Sequence, residues 1–386
     1  MDAGEANAIG RALFDPLDET GWASRWLGAP KHRQLVVRTQ TVSPSNDELA
    51  LLNAPWELLA APAGPLVADA GQLFIVQRQL GPIGQQAEPQ HGDLRLMFMA
   101  ASPEGQTELD IDQEEAAIAS SAGEVRRLAL VVEETGTLPW LEERLRSEGP
   151  FEALHISCHG DVGHQGPLLA FEDAAQGMQL ISPDELIPAA EGVSLLFLSA
   201  CRTAEHTAHL AFAHQAARTI ANVLGWDGSV LDADATLFAR HFYGQLVKGQ
   251  TAPMAAARAR QHLWKANSEN DQQGRHWHLA RVYSGPGGGG PLCAPNKPQR
   301  QPPPEPAAFL DNNRTVRVAP PRHFVGRRRQ AQAAIRALRQ PGGMVLLHGM
   351  GAVGKSSLAA RLITRTALAP VVVYGRFDHL SLFDAL

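Results

Sequence analysis

Cysteine is scarce in this chain: three in 386 residues, at Cys158, Cys201 and Cys293. A count that small, and odd, excludes a disulfide framework and fits a reducing compartment in which a thiol stays available for chemistry. The first ten residues, MDAGEANAIG, hold two acids and no apolar core, so no secretory signal is legible there. Nowhere does an uncharged apolar run approach the ~18 to 20 residues needed to span a bilayer. Charge is modest as well, 19% of residues against 44% hydrophobic, which excludes a wholly disordered chain. The expectation is a soluble cytoplasmic protein, with no membrane partner and two to three domains.

The charge is unevenly spread. Residues 1–296 carry 20 Lys and Arg against 36 Asp and Glu, whereas residues 297–386 carry 14 against 4. Such a reversal marks a change of module. No aromatic or glycine-rich motif for binding nucleic acid stands behind the basic part, so a solvated surface meeting an acidic neighbour explains it better than nucleic acid does.

Short apolar runs recur along the first part: QLVVRTQ (34–40), QLFIVQRQL (72–80), LRLMFMAAS (94–102), FEALHIS (151–157) and VSLLFLSA (193–200). Continuous runs of this length suit strands buried on both faces of a sheet. Helix starts separate them. Thr137-Leu-Pro139 places proline in a first turn, and Ser182-Pro-Asp-Glu185 reads as a capping box. Further helices are expected over 233–248 and 252–265. Strands alternating with helices predict an α/β domain with a largely parallel sheet over residues 1–284. From Gly285 the chain becomes Pro- and Gly-rich, and residues 285–322 read as a linker. Residues 323–386 begin another α/β unit, with a helix to Arg339 and a strand MVLLH (344–348).

Two predicted strands end in groups that bear chemistry. One runs Leu154-His-Ile-Ser-Cys-His159-Gly160, the other Leu195-Leu-Phe-Leu-Ser-Ala-Cys201. In open α/β sheets reactive groups gather beyond the carboxyl ends of strands. A cysteine nucleophile needs a base to become a thiolate near neutral pH, and histidine suits that. Gly160 would leave its N–H open to a developing oxyanion. The residues alone also allow a buried structural Cys201, or a metal site from His155, Cys158, His159 and His164, whose spacing is irregular.

The surrounding motifs resemble a CHAT domain, the peptidase module related to caspases and separases. They run in order: Pro55-Trp56-Glu57-Leu58-Leu59, LRLMFMAASP with the acidic helix start after Leu109, and His155-x-x-x-His159-Gly160. Leu198-Ser-Ala-Cys201-Arg-Thr-Ala, Val230-Leu-Asp-Ala-Asp-Ala-Thr and His276-Trp-His-Leu-Ala-Arg-Val-Tyr follow. The resemblance implies a caspase-like cysteine endopeptidase acting on a protein or peptide substrate, with His159 as general base and Cys201 as nucleophile. It also admits members that serve as non-catalytic interaction domains. Related peptidases often hold an acid for a basic residue before the scissile bond, and Asp227 and Asp232 stand for that role here; Asp232 equally fits a helix cap.

Gly349-Met-Gly351-Ala-Val-Gly354-Lys355-Ser356 is a complete phosphate-loop motif between an expected strand and an expected helix. Backbone N–H groups of the loop, with Ser357, would hold phosphates of ATP or GTP, Lys355 would reach the outer ones and Ser356 would ligate Mg²⁺. Upstream, Phe324-Val-Gly326-Arg327 resembles the segment that opens signalling NTPases of the NACHT and NB-ARC kind, where it lies near the base. That resemblance implies self-association through a full NTPase module. Thirty residues follow Ser356, with one further strand at 371–375 and the acids Asp378 and Asp384. The expected module is therefore a truncated P-loop unit that binds nucleotide weakly and does not turn it over.

Overall fold

A computed structural model of the chain describes residues 3–19, 21–28, 32–107, 109–121, 127–163, 166–173, 177–201, 208–270, 274–301, 309–310, 314–319 and 327–365. The chain divides into two compact units, Met1–Arg300 and Gln301–Leu386.

The first unit opens with helices α1 (Ala3–Asp18) and α2 (Trp22–Leu27), then β1 (Arg33–Arg38) and α3 (Asn46–Asn53). A two-residue hairpin, β2 (Ala60–Ala61) and β3 (Gly64–Pro65), precedes β4 (Phe74–Gln79). Next come β5 (Leu94–Ala100), α4 (Ile111–Ser121), β6 (Leu128–Glu133), α5 (Leu138–Glu148) and β7 (Ala153–Gly163). The chain continues through β8 (Gly166–Glu172), β9 (Met178–Ile181), α6 (Pro183–Ala189), β10 (Leu195–Cys201), α7 (Ala208–Ala216) and β11 (Asn222–Trp226). Two long helices, α8 (Asp232–Leu246) and α9 (Ala252–Glu269), and the strand β12 (Ala280–Ser284) complete it.

The main sheet runs β1-β4-β12-β11-β10-β7-β5-β6, with β8 on β7 and β9 on β8. Every neighbour on the main path is parallel except β11 and β12. The apolar runs are strands because alternate side chains enter two different cores. Leu96, Phe98, Ala153, Leu195 and Phe197 face a layer that includes α8 and α9 residues such as Phe238, Phe242 and Leu263. Met97, Met99, Leu154, Ile156, Leu196 and Leu198 face the other way, against Leu141, Leu186 and Phe212 of α5, α6 and α7. Helix starts match their sequence signals: the Glu185 carboxylate accepts from both the N–H and the hydroxyl of Ser182, at 2.8 and 2.7 Å.

Residues 285–300, expected in the linker, pack against this unit instead. Leu292 and Cys293 are buried, and the Cys293 thiol donates to the Leu246 carbonyl at 3.1 Å. The Ala294 N–H reaches the His91 carbonyl at 2.9 Å, and the Gly92 N–H reaches that of Pro298, also at 2.9 Å. Arg300 closes the segment onto Asp93 and Glu152. The glycines are there for contact: a Cβ on Gly285 or Gly288 would fall 2.1 or 1.8 Å from the carbonyls of Ala217 and Ala221.

The second unit holds α10 (Arg328–Arg339) and α11 (Lys355–Arg365) around a small core of Ala331, Ala334, Ile335, Leu358 and Leu362. Residues 344–348 alternate as a strand should, Val345 and Leu347 packing on that core while Met344 and Leu346 are exposed. Among the described residues they join no ladder, and the neighbour expected at 371–375 lies outside the described residues, as do Asp378 and Asp384.

Candidate functional site

His159 stands near the carboxyl end of β7, and the register of β7 with β10 pairs it with Cys201. Both strands were legible as apolar runs, and their adjacency brings the two positions to neighbouring points on one rim. The His159 ring is 3% exposed. Its Nε2 lies 2.6 Å from the Thr107 carbonyl oxygen. A carbonyl only accepts, so Nε2 carries a proton, and in the neutral ring Nδ1 presents a lone pair. Nδ1 is buried and has no hydrogen-bond partner among the described atoms. The Cys201 side chain lies outside the described atoms, as do His164 and Gly326.

Gly160, expected at an open strand end, lies inside β7 opposite Leu169. The strand runs on to Gly163 and folds back into β8, which puts Gly160 in a ladder.

Below His159 on the same face lie Ser157 and His155, beside Ser199 and Phe197 of β10. The carboxylate of Glu114, projecting from α4, ties this layer together. It accepts from the Ser199 hydroxyl at 2.8 Å and stands 3.2 Å from Nε2 of His155. The other ring nitrogen of His155 is 3.0 Å from the Tyr243 hydroxyl. Burial alone would raise the Glu114 pKa, but His155 and the hydroxyls of Ser157 and Ser199 outweigh it and hold the group below its usual range.

A water-sized recess opens over this layer, lined by Asp110, Glu114, Ser157, Ser199 and Asp232 among others. Asp232 is the first residue of α8 and half-buried. Its carboxylate accepts from the Asp110 N–H at 3.0 Å, across the chain from α4. Asp227, the other expected pocket acid, is committed elsewhere: it is buried and paired with Arg281. That pairing puts it in a charge cluster with Arg78, Glu57 and Arg260 inside the domain, away from the recess. Among the described residues no three His, Cys, Asp or Glu side chains are placed to hold a metal ion. No helix of the described residues is long and apolar enough to cross a membrane.

In the second unit, Lys355 opens α11 and its ammonium turns back onto the carbonyls of Gly349 and Met350, at 3.0 and 2.6 Å. Gly349 and Gly354 have φ of 138° and 84°, left-handed values that favour glycine. The Arg327 guanidinium lies beside Gly354, its Cζ 3.9 Å from where a Cβ would stand. Ser357 accepts from the Ala319 N–H at 2.9 Å, and Ser356 in the first turn of α11 is half-buried. Gly351 has open space around it.

An imidazole locked in one tautomer beside a cysteine-ended strand, on a parallel sheet flanked by helices, defines a candidate thiol-nucleophile site. The chain belongs to the CHAT domain family, which matches residues 5–299. Among solved structures it is similar to the Saccharomyces cerevisiae separase–securin complex, at 15% identity and a TM-score of 0.37, covering 61% of this chain and 15% of that one. It is similar to the Arg-specific cysteine proteinase gingipain R, at 10% identity and a TM-score of 0.38, covering 60% and 57%. It is also similar to a secreted C11 cysteine protease from Bacteroides thetaiotaomicron bound to an irreversible peptide inhibitor, at 10% identity and a TM-score of 0.32, covering 45% and 59%. The chain thus spans less than two thirds of each. A comparison with curated protein sequences returned no significant match.

Thr107, Asp110, Ser157, Ser199 and Glu114 were not singled out from the sequence. Thr107 acts through a backbone carbonyl, which has no side-chain signature. Glu114 sits in a first helical turn, where acids are common for reasons of the helix dipole alone.

Proposed function

We propose that the first unit is a cysteine endopeptidase in which His159 and Cys201 act as a dyad. The observation that carries this is the Thr107 carbonyl on Nε2 of His159, which leaves Nδ1 basic at the rim where Cys201 ends β10. Nδ1 takes the thiol proton, the sulfur attacks the peptide carbonyl, and the imidazolium returns the proton to the leaving amine. Water then hydrolyses the thioester through the same base. Backbone N–H groups near Cys201 stabilise the oxyanion. Three carboxylates around the recess, those of Asp110, Glu114 and Asp232, favour a basic residue before the scissile bond, which enters only if the recess opens.

The second unit is a nucleotide-binding regulator in this reading. The left-handed glycines, the folded-back Lys355 and the nearby Arg327 suit an ATP or GTP phosphate chain with Mg²⁺ on Ser356.

The test is cleavage of a peptide library by the full chain. Cys201→Ala and His159→Ala each abolish turnover, because the pair acts as one unit, while Cys158→Ala and Cys293→Ala keep it. Full activity in either dyad variant would overturn the peptidase reading and favour an interaction domain. In the same assay Mg–ATP changes the rate of wild type and not of Lys355→Ala.

A further inference from the structure

The ring that would act as base is held by the chain segment between β5 and α4. Thr107 is exposed, and the segment before α4 is tied at Gln106 by a bond to the Pro103 carbonyl at 3.3 Å and a contact with the Met178 sulfur at 3.3 Å. Leu109 is buried. Three residues after Thr107, the Asp110 N–H donates to the Asp232 carboxylate at 3.0 Å. That bond joins the segment bearing the acceptor of His159 to the first turn of α8.

The first turn of α8 is a firm post. Asp234, two residues beyond Asp232, is 1% exposed and accepts from three donors of one turn. These are the Gly274 N–H at 2.6 Å, the His276 N–H at 3.1 Å and the His276 Nδ1 at 2.8 Å. Burial would raise the Asp234 pKa, yet the hydrogen bonds of His276 and Gly274 hold it below its usual range, so it remains an anion and His276 Nδ1 the donor. The turn before β12 thus braces the helix end that carries Asp232.

We infer that Asp232 is a positioning residue for the general base: through the Asp110 N–H it fixes the segment whose Thr107 carbonyl holds Nε2 of His159. This rests on the dyad reading and adds to it a second duty for an acid otherwise cast as a substrate contact. The two duties need different chemistry. Attracting a basic substrate residue needs the negative charge, whereas holding the Asp110 N–H needs only an acceptor oxygen.

Alkylation of Cys201 by iodoacetamide, followed by mass spectrometry of the Cys201 peptide across pH 5–9, separates them, because this small neutral reagent does not use the recess. In the full chain, Asp232→Ala slows alkylation near neutral pH by about fivefold, the factor a hydrogen bond at a half-exposed position is worth. Asp232→Asn restores the rate and the pH profile, yet loses cleavage of peptides with Arg or Lys before the scissile bond. Wild-type alkylation in Asp232→Ala, or an Asn variant as slow as the Ala variant, would overturn the proposal. His159→Ala is the separate control. If it alkylates like wild type, the dyad reading itself fails; if it is slow while Asp232→Ala is not, only the positioning role fails.

Discussion

Two glutamates lie buried in the first unit, and they are kept in opposite ways. Glu57, in the segment after α3, is fully buried and receives both guanidinium nitrogens of Arg78, at 2.6 and 2.8 Å. Arg260 stands 3.6 Å away, and Arg281, which neutralises Asp227, completes the cluster. Glu114 faces a histidine and two serines instead, next to the candidate site. One carboxylate is surrounded by fixed positive charge, the other by groups that can exchange protons and donors. The first arrangement suits a strut between the β4–β12 part of the sheet and the segment before it; the second suits the floor of a reactive centre.

The largest effect expected from breaking this contrast is at Glu57. Glu57→Gln leaves Arg78 buried beside Arg260 without a counter-charge and costs about 3–5 kcal/mol in urea unfolding. Its pH dependence follows from the shift. Burial would raise the Glu57 pKa, but Arg78, with Arg260 and Arg281, lowers it to about 2 from an unfolded value of 4.5. The stability that this ionisation supplies is therefore complete above pH 4.5 and lost as pH falls toward 2. The gap between wild type and Glu57→Gln should narrow over that interval. A gap independent of pH would mean that the carboxylate's charge contributes little.

A middle-sized effect belongs to Glu114. Glu114→Gln keeps an acceptor for one serine and loses the charge opposite His155, costing about 1–3 kcal/mol by the same measurement. An effect as large as that at Glu57 would erase the distinction drawn between the two.

The smallest effect sharpens the cluster itself. Burial first, then repulsion from Arg78 and Arg281, lowers the Arg260 pKa to about 10 in spite of Glu57. Among the described residues its Nε and Nη1 have no hydrogen-bond partner, and Nη2 reaches the Ala280 carbonyl at 3.1 Å. Arg260→Met should change stability by less than about 1 kcal/mol, because Arg78 still satisfies Glu57.

What the sequence made legible follows the same division between side-chain pattern and backbone contact. β1, β4, β5, β7 and β10 could be read because runs such as LRLMFMA have two buried faces. β6, β8, β9 and β11 were not read as strands. The five residues of β11 include a glycine, and their place is set by pairing with β10 and β12, which are distant in the chain. The neighbouring placement of His159 and Cys201 followed from reading their two runs as adjacent strands, although β7 runs on past His159 to Gly163. The Thr107 carbonyl did not, since any residue could supply it. Asp227 misled for a related reason: its partner Arg281 is 54 residues away and only the sheet brings them together. Residues 285–300 misled through composition, which reports the lack of regular structure and is silent on packing.

The place of β12 has a consequence for the order of events during synthesis. It lies between β4 and β11, so the β1–β4 pair reaches the rest of the sheet only through a strand that begins at Ala280. The growing chain can assemble β5 to β11 earlier, but the post behind α8, supplied by Gly274 and His276, comes with the same late stretch. A nascent chain therefore cannot join the β1–β4 pair to the rest of the sheet, or brace the first turn of α8, until nearly the whole first unit has left the ribosome.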